Sequence, residues 1–382
     1  MKRIITLILS VCLLIGIYPI GKAEAFSEGD ISAESAILIE ADSGRVIFEK
    51  NAHERRQMAS TTKIMSALLC IESGGLDEYF KVDNEAIKVE GSSMGLVEND
   101  IVTKRVLCYG MLLPSGNDAA NATAVKVGGS VENFVAMMNR RAQQMGLNDT
   151  HFVTPSGLDD DTDDHYSTAY DMAMLARECM KNETFAEIAG TSSVCLEYGN
   201  PPYRRWLSNS NKLLETCEGV NGVKTGFTDK AGRCLISSCE RNGVKLICVT
   251  LNAPNDWQDH NRMLNFGFSQ LVHAELECDY YSFSIKVVGG KSPNLMCSVK
   301  DRPFATLYAD EVQNITSEVI LPKFVYAPIA LGEKIGEIRF LLGDEVVAVA
   351  EICSNEYVET EEVDDKGVLD KIRDKIGEFI ND

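Results

Sequence analysis

Three short motifs carry residue types that together can perform acyl transfer. In chain order they are Ser60-Thr61-Thr62-Lys63, Ser115-Gly116-Asn117 and Lys224-Thr225-Gly226. Each motif alone is short enough to arise by chance. In this order, and each in a suitable local structure, they indicate a site where a serine hydroxyl is the nucleophile and a lysine amine is its base.

The first motif pairs a hydroxyl with an amine. Ser60 opens an apolar run and Lys63 follows one helical turn later, so the two side chains share a helix face. Apolar neighbours lower the pKa of a lysine amine, which can then take the hydroxyl proton. The N–H groups of a helix start also favour negative charge developing near Ser60. An ordinary serine cap followed by a surface lysine is the alternative, but it leaves the single lysine of this apolar helix unexplained.

The second motif places polar groups at the start of another candidate helix. Ser115 can relay a proton between Lys63 and a leaving amine, and the Asn117 side chain can hydrogen-bond a substrate amide. Taken alone, this motif is better explained as a polar helix cap. The first motif is what favours a catalytic interpretation.

The third motif lies in a β-rich run. Lys224 supplies a fixed positive charge and Thr225 a hydroxyl, a combination that suits a terminal carboxylate. Gly226 lets a substrate backbone lie close to the strand. An exposed strand lysine is the alternative explanation for this motif.

The surrounding pattern predicts an α+β fold that brings the motifs together. β-rich runs separated by turn residues predict strands over 36–40, 45–49, 219–228, 233–239 and 244–252. Apolar periodicity and capping residues predict helices over 60–73, 131–145 (capped by Ser130), 168–181 (capped by Thr168) and 261–276. Since strands come from both ends of this region and helices from its middle, we expect one antiparallel sheet flanked by helices, with an all-helical insert.

Both ends of the chain differ from this central region. Lys2 and Arg3, a long apolar run and Ala23-Glu24-Ala25 predict a cleaved signal peptide over 1–25, with an uncleaved membrane anchor as the alternative. Past Cys278, apolar and polar residues alternate, which predicts a small all-β domain. The predicted division is therefore signal peptide 1–25, catalytic domain 26–277, β-rich domain 278–354, and acidic linker with amphipathic helix 355–382.

Composition excludes several classes of function. The formal net charge of −20 argues against nucleic acid as a partner. The chain has twelve cysteines, of which Cys12 lies in the signal peptide, and we expect the rest to be mostly free, buried thiols. Because H-x-x-x-H and C-x-x-C spacings are missing and the acidic run 159–164 lacks the glycine of a calcium loop, the sequence predicts neither a metal nor a cofactor.

The motifs and their surroundings resemble the serine-type D-alanyl-D-alanine carboxypeptidases, the low-molecular-mass penicillin-binding proteins of peptidase family S11. The resemblance covers about residues 31–352. It extends to Thr154-Pro155-Ser156-Gly157-Leu158, to His165-Tyr166-Ser167-Thr168-Ala169 and to residues 219–228. It implies a β-lactamase/transpeptidase-like catalytic domain followed by a β-rich domain.

The same resemblance implies roles for residues and partners. Ser60 would be the acylated nucleophile, Lys63 the base and Ser115 the proton relay, with an oxyanion hole at the backbone N–H groups of Ser60 and Phe227. The implied substrate is a peptidoglycan stem peptide ending in D-Ala-D-Ala, and β-lactams would be covalent inhibitors. The implied location is the cell wall or the outer face of the cytoplasmic membrane.

The C-terminal tail departs from the family pattern. The anchoring helix of relatives is usually basic, whereas this tail has six acidic and four basic residues after Val363. Weak membrane-surface contact through residues 367–382 is one interpretation. A helix docked on protein, or a frayed end, is the other.

Two rival functions remain. A class A β-lactamase shares the motif order but needs a glutamate in an E-x-x-L-N context after the second motif, and the sequence has none between Asn117 and Lys224. A non-catalytic scaffold that binds the cell wall is disfavoured because every side chain of the three motifs is intact.

Overall fold

The computed structural model describes residues 26–158, 162–277 and 281–361. Its backbone contacts divide them into two units. The first unit runs to Ser269 except for the short segment Asn242–Val244, and the second contains that segment and the residues from Gln270 onward. The predicted signal peptide and the predicted C-terminal helix lie outside the described residues.

The strands of the first unit form one main sheet and two small hairpin-like pairs. In chain order the strands are β1 (Ser35–Glu40), β2 (Val46–Lys50), β3 (Phe80–Lys81), β4 (Ile101–Val102), β5 (Ser193–Gly199), β6 (Pro202–Ser208), β7 (Val220–Thr228), β8 (Gly232–Arg241) and β9 (Val244–Leu251). The main sheet has the order β2-β1-β9-β8-β7, while β3 pairs with β4 and β5 with β6. Strand β1 pairs antiparallel with both β2 and β9, and β7 pairs antiparallel with β8.

The burial of each strand follows its place in the main sheet. All six residues of β1 are buried, as expected for an apolar strand covered on both faces. The edge strand β2 has no buried residue. The opposite edge is β7, which carries the third motif.

Helices cover this sheet and form the insert. They are α1 (Lys63–Glu72), α2 (Lys104–Leu112), α3 (Asn117–Gly128), α4 (Val131–Gln144), α5 (Ala169–Met180), α6 (Glu183–Ala189), α7 (Leu213–Thr216) and α8 (Asp256–Gln270). Nine of the ten residues of α1 are buried, so the helix after the first motif is central in the core. The predicted caps are confirmed, since Ser130 accepts from the N–H of Asn133 and Thr168 from the N–H of Asp171.

One predicted helix is wrong at its end. The helix predicted over 261–276 begins earlier, at Asp256, and stops at Gln270. Residues Leu271–Glu275 instead form strand β10, which pairs antiparallel with Phe304–Tyr308. The apolar spacing of 271–276 fits a helix, but pairing with the distant strand Phe304–Tyr308 decides its conformation.

The second unit is mainly β-sheet, as predicted. After β10 its strands are β11 (Ser282–Val288), β12 (Asn294–Val299), β13 (Phe304–Tyr308), β14 (Ile315–Ile320), β15 (Phe324–Tyr326), β16 (Lys334–Leu342) and β17 (Glu345–Ser354). Six of them form a sheet with the order β14-β16-β17-β12-β11-β15. Its buried core includes Leu295, Ile338, Phe340 and Ile352.

The described part of the predicted acidic linker is paired rather than loose. Val358 is buried and bridges to Ile329, and Thr360 bridges to Gly290. The high acidic content of this segment predicted a linker, but the apolar Val358 lies within the β core.

The described cysteines are free thiols. Nine of these ten thiols are buried, and Cys195 is exposed. Burial raises the pKa of Cys179 and Cys248 well above the ordinary thiol value, so these groups stay protonated and inert. Within the described residues no helix combines the length and apolar character needed to cross a membrane.

Candidate active site

A cavity of about 400 Å³ in the first unit brings the three motifs together. Ser60, Ser115, Thr225, Gly226 and Phe227 all line it. The other predicted site residues lie behind its wall: Lys63 is 0% exposed, Lys224 1% and Asn117 3%. The site therefore has a hydroxyl-lined surface with two buried amines beneath it.

Ser60, the predicted nucleophile, lies on a tight turn. Residues Ala59–Thr62 form a 3-10 turn, and the α-helix begins only at Lys63. The hydroxyl of Thr61 donates to the Met58 carbonyl, at 2.6 Å, and fixes this turn. Ser60 was expected within the helix, but the turn holds it just ahead of the first helical residue.

The amine of Lys63 contacts the hydroxyl of Ser60. Its Nζ lies 2.9 Å from Ser60 Oγ and donates to the carbonyl oxygen of Ser156 at 2.6 Å. Desolvation lowers the pKa of Lys63 well below its usual value, the nearby Lys224 lowers it further, and Asp118 opposes the shift. A neutral amine at this distance can take the Ser60 proton.

The loop of residues 154–158 supports the Lys63 amine. Its sequence is part of the family resemblance, but the sequence alone gave it no role. Residues 154–158 pack against the start of α1, where Ser66 Oγ donates to the Pro155 carbonyl at 2.6 Å. Gly157 has φ +88°, and a Cβ there would lie 2.0 Å from the Ala59 carbonyl oxygen. Only glycine permits so close an approach of this loop to the nucleophile turn.

The buried His165 fastens the same loop. The Val153 N–H donates to its Nδ1 at 3.0 Å, and its Nε2 lies 2.7 Å from Thr62 Oγ1, whose hydroxyl donates to the Ala59 carbonyl. Because Nδ1 accepts, the proton of the neutral ring is on Nε2. Burial lowers the pKa of His165 to about 3, which keeps the ring neutral.

Ser115 presents an unused polar atom. It has φ +67°, and its buried Oγ makes no hydrogen bond within the described part of the chain. A buried hydroxyl without a partner is costly and calls for a functional explanation. A substrate bound in the cavity, or a group that exchanges a proton with Ser115, would supply that partner.

Asn117 is committed to a neighbouring loop. Its Nδ2 donates to the Glu90 carbonyl and its backbone N–H to the Ser92 carbonyl, both at 2.7 Å. The adjacent Asp118 accepts from the backbone N–H groups of Met94 and Leu96. Together they hold the loop that brings Ser92 to the cavity wall.

The third motif has one open and one buried side chain. Thr225 Oγ1 lies 2.7 Å from Ser210 Oγ at the cavity. Lys224 Nζ donates to the Thr225 carbonyl at 2.9 Å, and desolvation lowers the pKa of Lys224 to about 7. The motif predicted a fixed positive charge here, but burial makes the charge of Lys224 depend on pH near neutrality.

Gly226 explains how β7 comes so close to the turn that bears Ser60. A Cβ at this position would lie 3.1 Å from both the Met58 carbonyl oxygen and the Thr61 nitrogen. The strand and the nucleophile turn therefore meet backbone to backbone.

Sequence reasoning missed several residues that line the cavity: Ser92, Pro114, Ser210, Lys212, Arg233, Asp256 and Trp257. Most are distant in sequence from the motifs and arrive through β8, α8 and the segment before α7. The NAPNDW run after β9 was a possible signal, because a buried acid and a tryptophan open a helix there. No cluster of His, Cys, Asp and Glu among the described residues could hold a metal ion.

Comparison with known proteins identifies the family. Residues 22–255 match the D-alanyl-D-alanine carboxypeptidase family model. The chain is 32% identical to the D-alanyl-D-alanine carboxypeptidase DacF of Bacillus subtilis over 370 residues, 93% of this chain and 94% of that protein. The chain belongs to the D-alanyl-D-alanine carboxypeptidase family. The predicted resemblance and the prediction of a serine hydrolase are thereby confirmed.

Solved structures of this carboxypeptidase family share the fold. Penicillin binding protein 5 from Haemophilus influenzae aligns with a TM-score of 0.64 and 27% identity over 87% of this chain and 99% of that one. The Streptomyces K15 DD-transpeptidase aligns with a TM-score of 0.60 and 30% identity over 64% of this chain and all of its own. Residues 280–360 match the C-terminal domain of penicillin-binding protein 5. The predicted α+β fold class is confirmed.

Proposed function

We propose that this protein removes the terminal D-Ala from peptidoglycan stem peptides through an acyl-enzyme on Ser60. The observation that carries the proposal is the 2.9 Å contact between Ser60 Oγ and a fully buried Lys63 amine. Water attack on a peptide bond is slow, and a covalent intermediate divides the reaction into two easier steps.

In the first step Lys63 Nζ takes the Ser60 proton while Oγ attacks the carbonyl carbon of the penultimate D-Ala. The oxyanion is stabilised by the backbone N–H groups of Ser60 and Phe227, the two chain segments that Gly226 allows to meet. Ser115, with its unused hydroxyl, relays the proton to the leaving amine. The C–N bond breaks and D-Ala departs.

In the second step a water molecule attacks the acyl-enzyme. Lys63 accepts a proton from this water and returns it to Ser60 Oγ as the acid product leaves. A β-lactam would acylate Ser60 by the first step. Its leaving group stays tethered, so deacylation is slow.

The remaining predicted residues serve the substrate. Thr225, with its open hydroxyl, and Lys224 behind it would interact with the C-terminal part of the stem peptide. Gly226 lets β7 approach the turn that bears Ser60, and Asn117 fixes the loop that carries Ser92. We place the protein outside the cytoplasmic membrane, at the cell wall, since its substrate is there. Neither a cofactor nor nucleic acid has a part in this reaction.

The decisive test uses Ser60→Ala. This variant should neither release D-Ala from diacetyl-Lys-D-Ala-D-Ala nor become labelled by fluorescent penicillin, because the acyl-enzyme cannot form. Ser73→Ala, at the far end of α1, is the matched control and should keep both activities. D-Ala release that persists in Ser60→Ala would mean a different nucleophile.

The same assay separates the rival functions. Rapid multiple turnover of penicillin by the native protein would indicate a β-lactamase. A native protein that penicillin cannot label would indicate a scaffold without catalysis.

A further inference from the structure

The second unit carries an exposed apolar patch at one edge of its six-stranded sheet. The edge strand is β15, which pairs with β11. Val288 is 45% exposed, Phe324 45% and Tyr326 68%. We call these three side chains the β15 face. Apolar side chains grouped at this exposure mark an interaction site rather than ordinary surface composition.

The strand register puts these side chains on one side of the sheet. In the parallel pairing of β11 with β15, Lys286 lies opposite Phe324 and Val288 lies opposite Tyr326. Alternate residues of a strand point to opposite faces, and Ile285, between these positions, is buried in the core. The β15 face is therefore the outer surface of the sheet, with the positive charge of Lys286 beside it.

A cavity of about 600 Å³ lies at this face. Lys286 and Lys323 line it together with Val288, Asn294 and Phe324. Neither lysine pairs with a carboxylate of the described residues, although the whole chain has a formal net charge of −20. The groove thus combines apolar side chains with positive charge, which suits an acidic amphipathic partner.

The described part of the chain ends next to this groove. The backbone N–H of Glu361, the last described residue, donates to the Gly289 carbonyl at 2.8 Å. Gly289 directly follows Val288 of the β15 face, and Thr360 forms a bridge with Gly290. The remaining chain therefore begins within reach of the groove.

The 21 residues after Glu361 have the complementary character. The apolar residues of this segment recur at helical spacing: Val368, Leu369, Ile372, Ile376, Phe379 and Ile380. Seven acidic and four basic residues give it a formal charge of −3. A helix over 367–382 would be about 24 Å long, close to the roughly 23 Å of the seven-residue strand β11. Its acidity also opposes binding to an anionic membrane surface.

We propose that the C-terminal segment 367–382 docks as an amphipathic helix on the β15 face of its own chain, with its carboxylates near Lys286 and Lys323. The short tether makes this docking intramolecular, so a modest contact is enough to hold the segment. The tail then belongs to the second unit and is not a membrane anchor. This inference does not depend on the proposed function.

The test measures how fast trypsin cuts the full-length protein within the tail, followed by mass spectrometry. Its sites there are Lys366, Lys371, Arg373 and Lys375. A docked segment is cut only after it opens. We expect the double variant Val288→Ser/Phe324→Ser to raise the cleavage rate by about 10-fold or more, because it removes the apolar contact.

The opposite edge of the same sheet supplies the matched control. Val319 and Ile320 of the edge strand β14 are 41% and 37% exposed. The double variant Val319→Ser/Ile320→Ser removes similar apolar groups and should leave the cleavage rate within about 3-fold of the native rate.

A second measurement needs no variant. A carbodiimide joins a carboxylate to an amine without a spacer, so the native protein should form a cross-link within one chain. We expect it to connect an acidic residue of 364–382 to Lys286 or Lys323.

Each other result overturns the inference. Equal cleavage rates in all three proteins, without the cross-link, would mean that the tail does not dock. A faster rate in the β14 variant alone would place the tail at the other edge. Cross-links that join two chains would mean that a second copy supplies the tail. Protection that arises only with phosphatidylglycerol vesicles would make a membrane the partner. No result bears on the chemistry of Ser60.

Discussion

The two sides of the cleft use positively charged residue types in opposite ways. On the inner side Lys63 and Lys224 are desolvated, and their pKa values fall. On the open side Arg233 stays in contact with solvent and with a carboxylate. Burial therefore favours the neutral form of the two amines, while the guanidinium of Arg233 stays charged. Depth within the wall therefore decides how easily each of these groups loses its charge.

The strongest way to break this comparison is to remove the inner amine. Lys63→Met keeps the volume and the apolar contacts of the buried chain but has no base. We expect acylation by penicillin to slow by about 10²- to 10⁴-fold. Labelling by fluorescent penicillin, stopped at successive times, measures this rate. Lys126→Met, on the exposed face of α3, is the control. A rate within 3-fold of the native value would show that Lys63 is not the base.

The second test concerns His165, which holds the loop behind Lys63. It measures how the free energy of unfolding changes as the pH falls. Burial lowers the pKa of His165 and of His260 to about 3. Between pH 6.5 and 3 the unfolded chain binds protons that the native state does not, so the free energy of unfolding falls as the pH falls through this window. Each buried histidine contributes up to about 1.4 kcal/mol per pH unit.

This test compares His165→Gln with an exposed histidine. Urea unfolding at pH 6.5 and pH 4.5 should show a smaller pH-dependent loss in His165→Gln than in the native protein. His53→Gln, whose side chain is 66% exposed, should keep the native slope. Equal slopes in all three proteins would mean that His165 is protonated in the native state.

The smallest expected effect concerns the two inner amines together. The charge of Lys224 helps to lower the pKa of Lys63, so Lys224→Met should let the pKa of Lys63 rise. Since only neutral Lys63 acts as a base, the acylation rate should begin to fall at a higher pH in the variant than in the native protein. Profiles of penicillin acylation against pH measure this shift, with Lys230→Gln as the control. An acidic limb that stays in place or moves to lower pH would mean that the two amines do not interact.

Local sequence patterns predicted the parts of the fold that depend on near neighbours. The hairpin of β1 and β2, the caps at Ser130 and Thr168, and the one-turn spacing of Ser60 and Lys63 involve only adjacent residues. Such features follow from turn chemistry and helix periodicity. For the same reason the contact between Ser60 and Lys63 could be predicted before any tertiary structure was known.

What the sequence did not reveal depends on long-range pairing. Strand β10 was predicted as helix because its partner lies far along the chain. Arg233 and Asp256 carry no motif, and they meet at the cavity only because β8 lies beside β7 in the sheet and α8 begins close by. The burial of Lys224 could not be predicted either. Alternate residues of a strand point to opposite faces of the sheet, but the sequence does not show which face is buried.

The turn that bears Ser60 is enclosed by main chain on two sides, with Gly157 pressed against Ala59 and Gly226 against Met58 and Thr61. Substitutions at these glycines would displace the nucleophile, so this part of the enzyme has little freedom to vary. The rim formed by Phe227, Lys212 and Trp257 has no such restriction. A laboratory selection for new substrates would therefore accumulate its beneficial mutations on the rim and leave the enclosed turn unchanged.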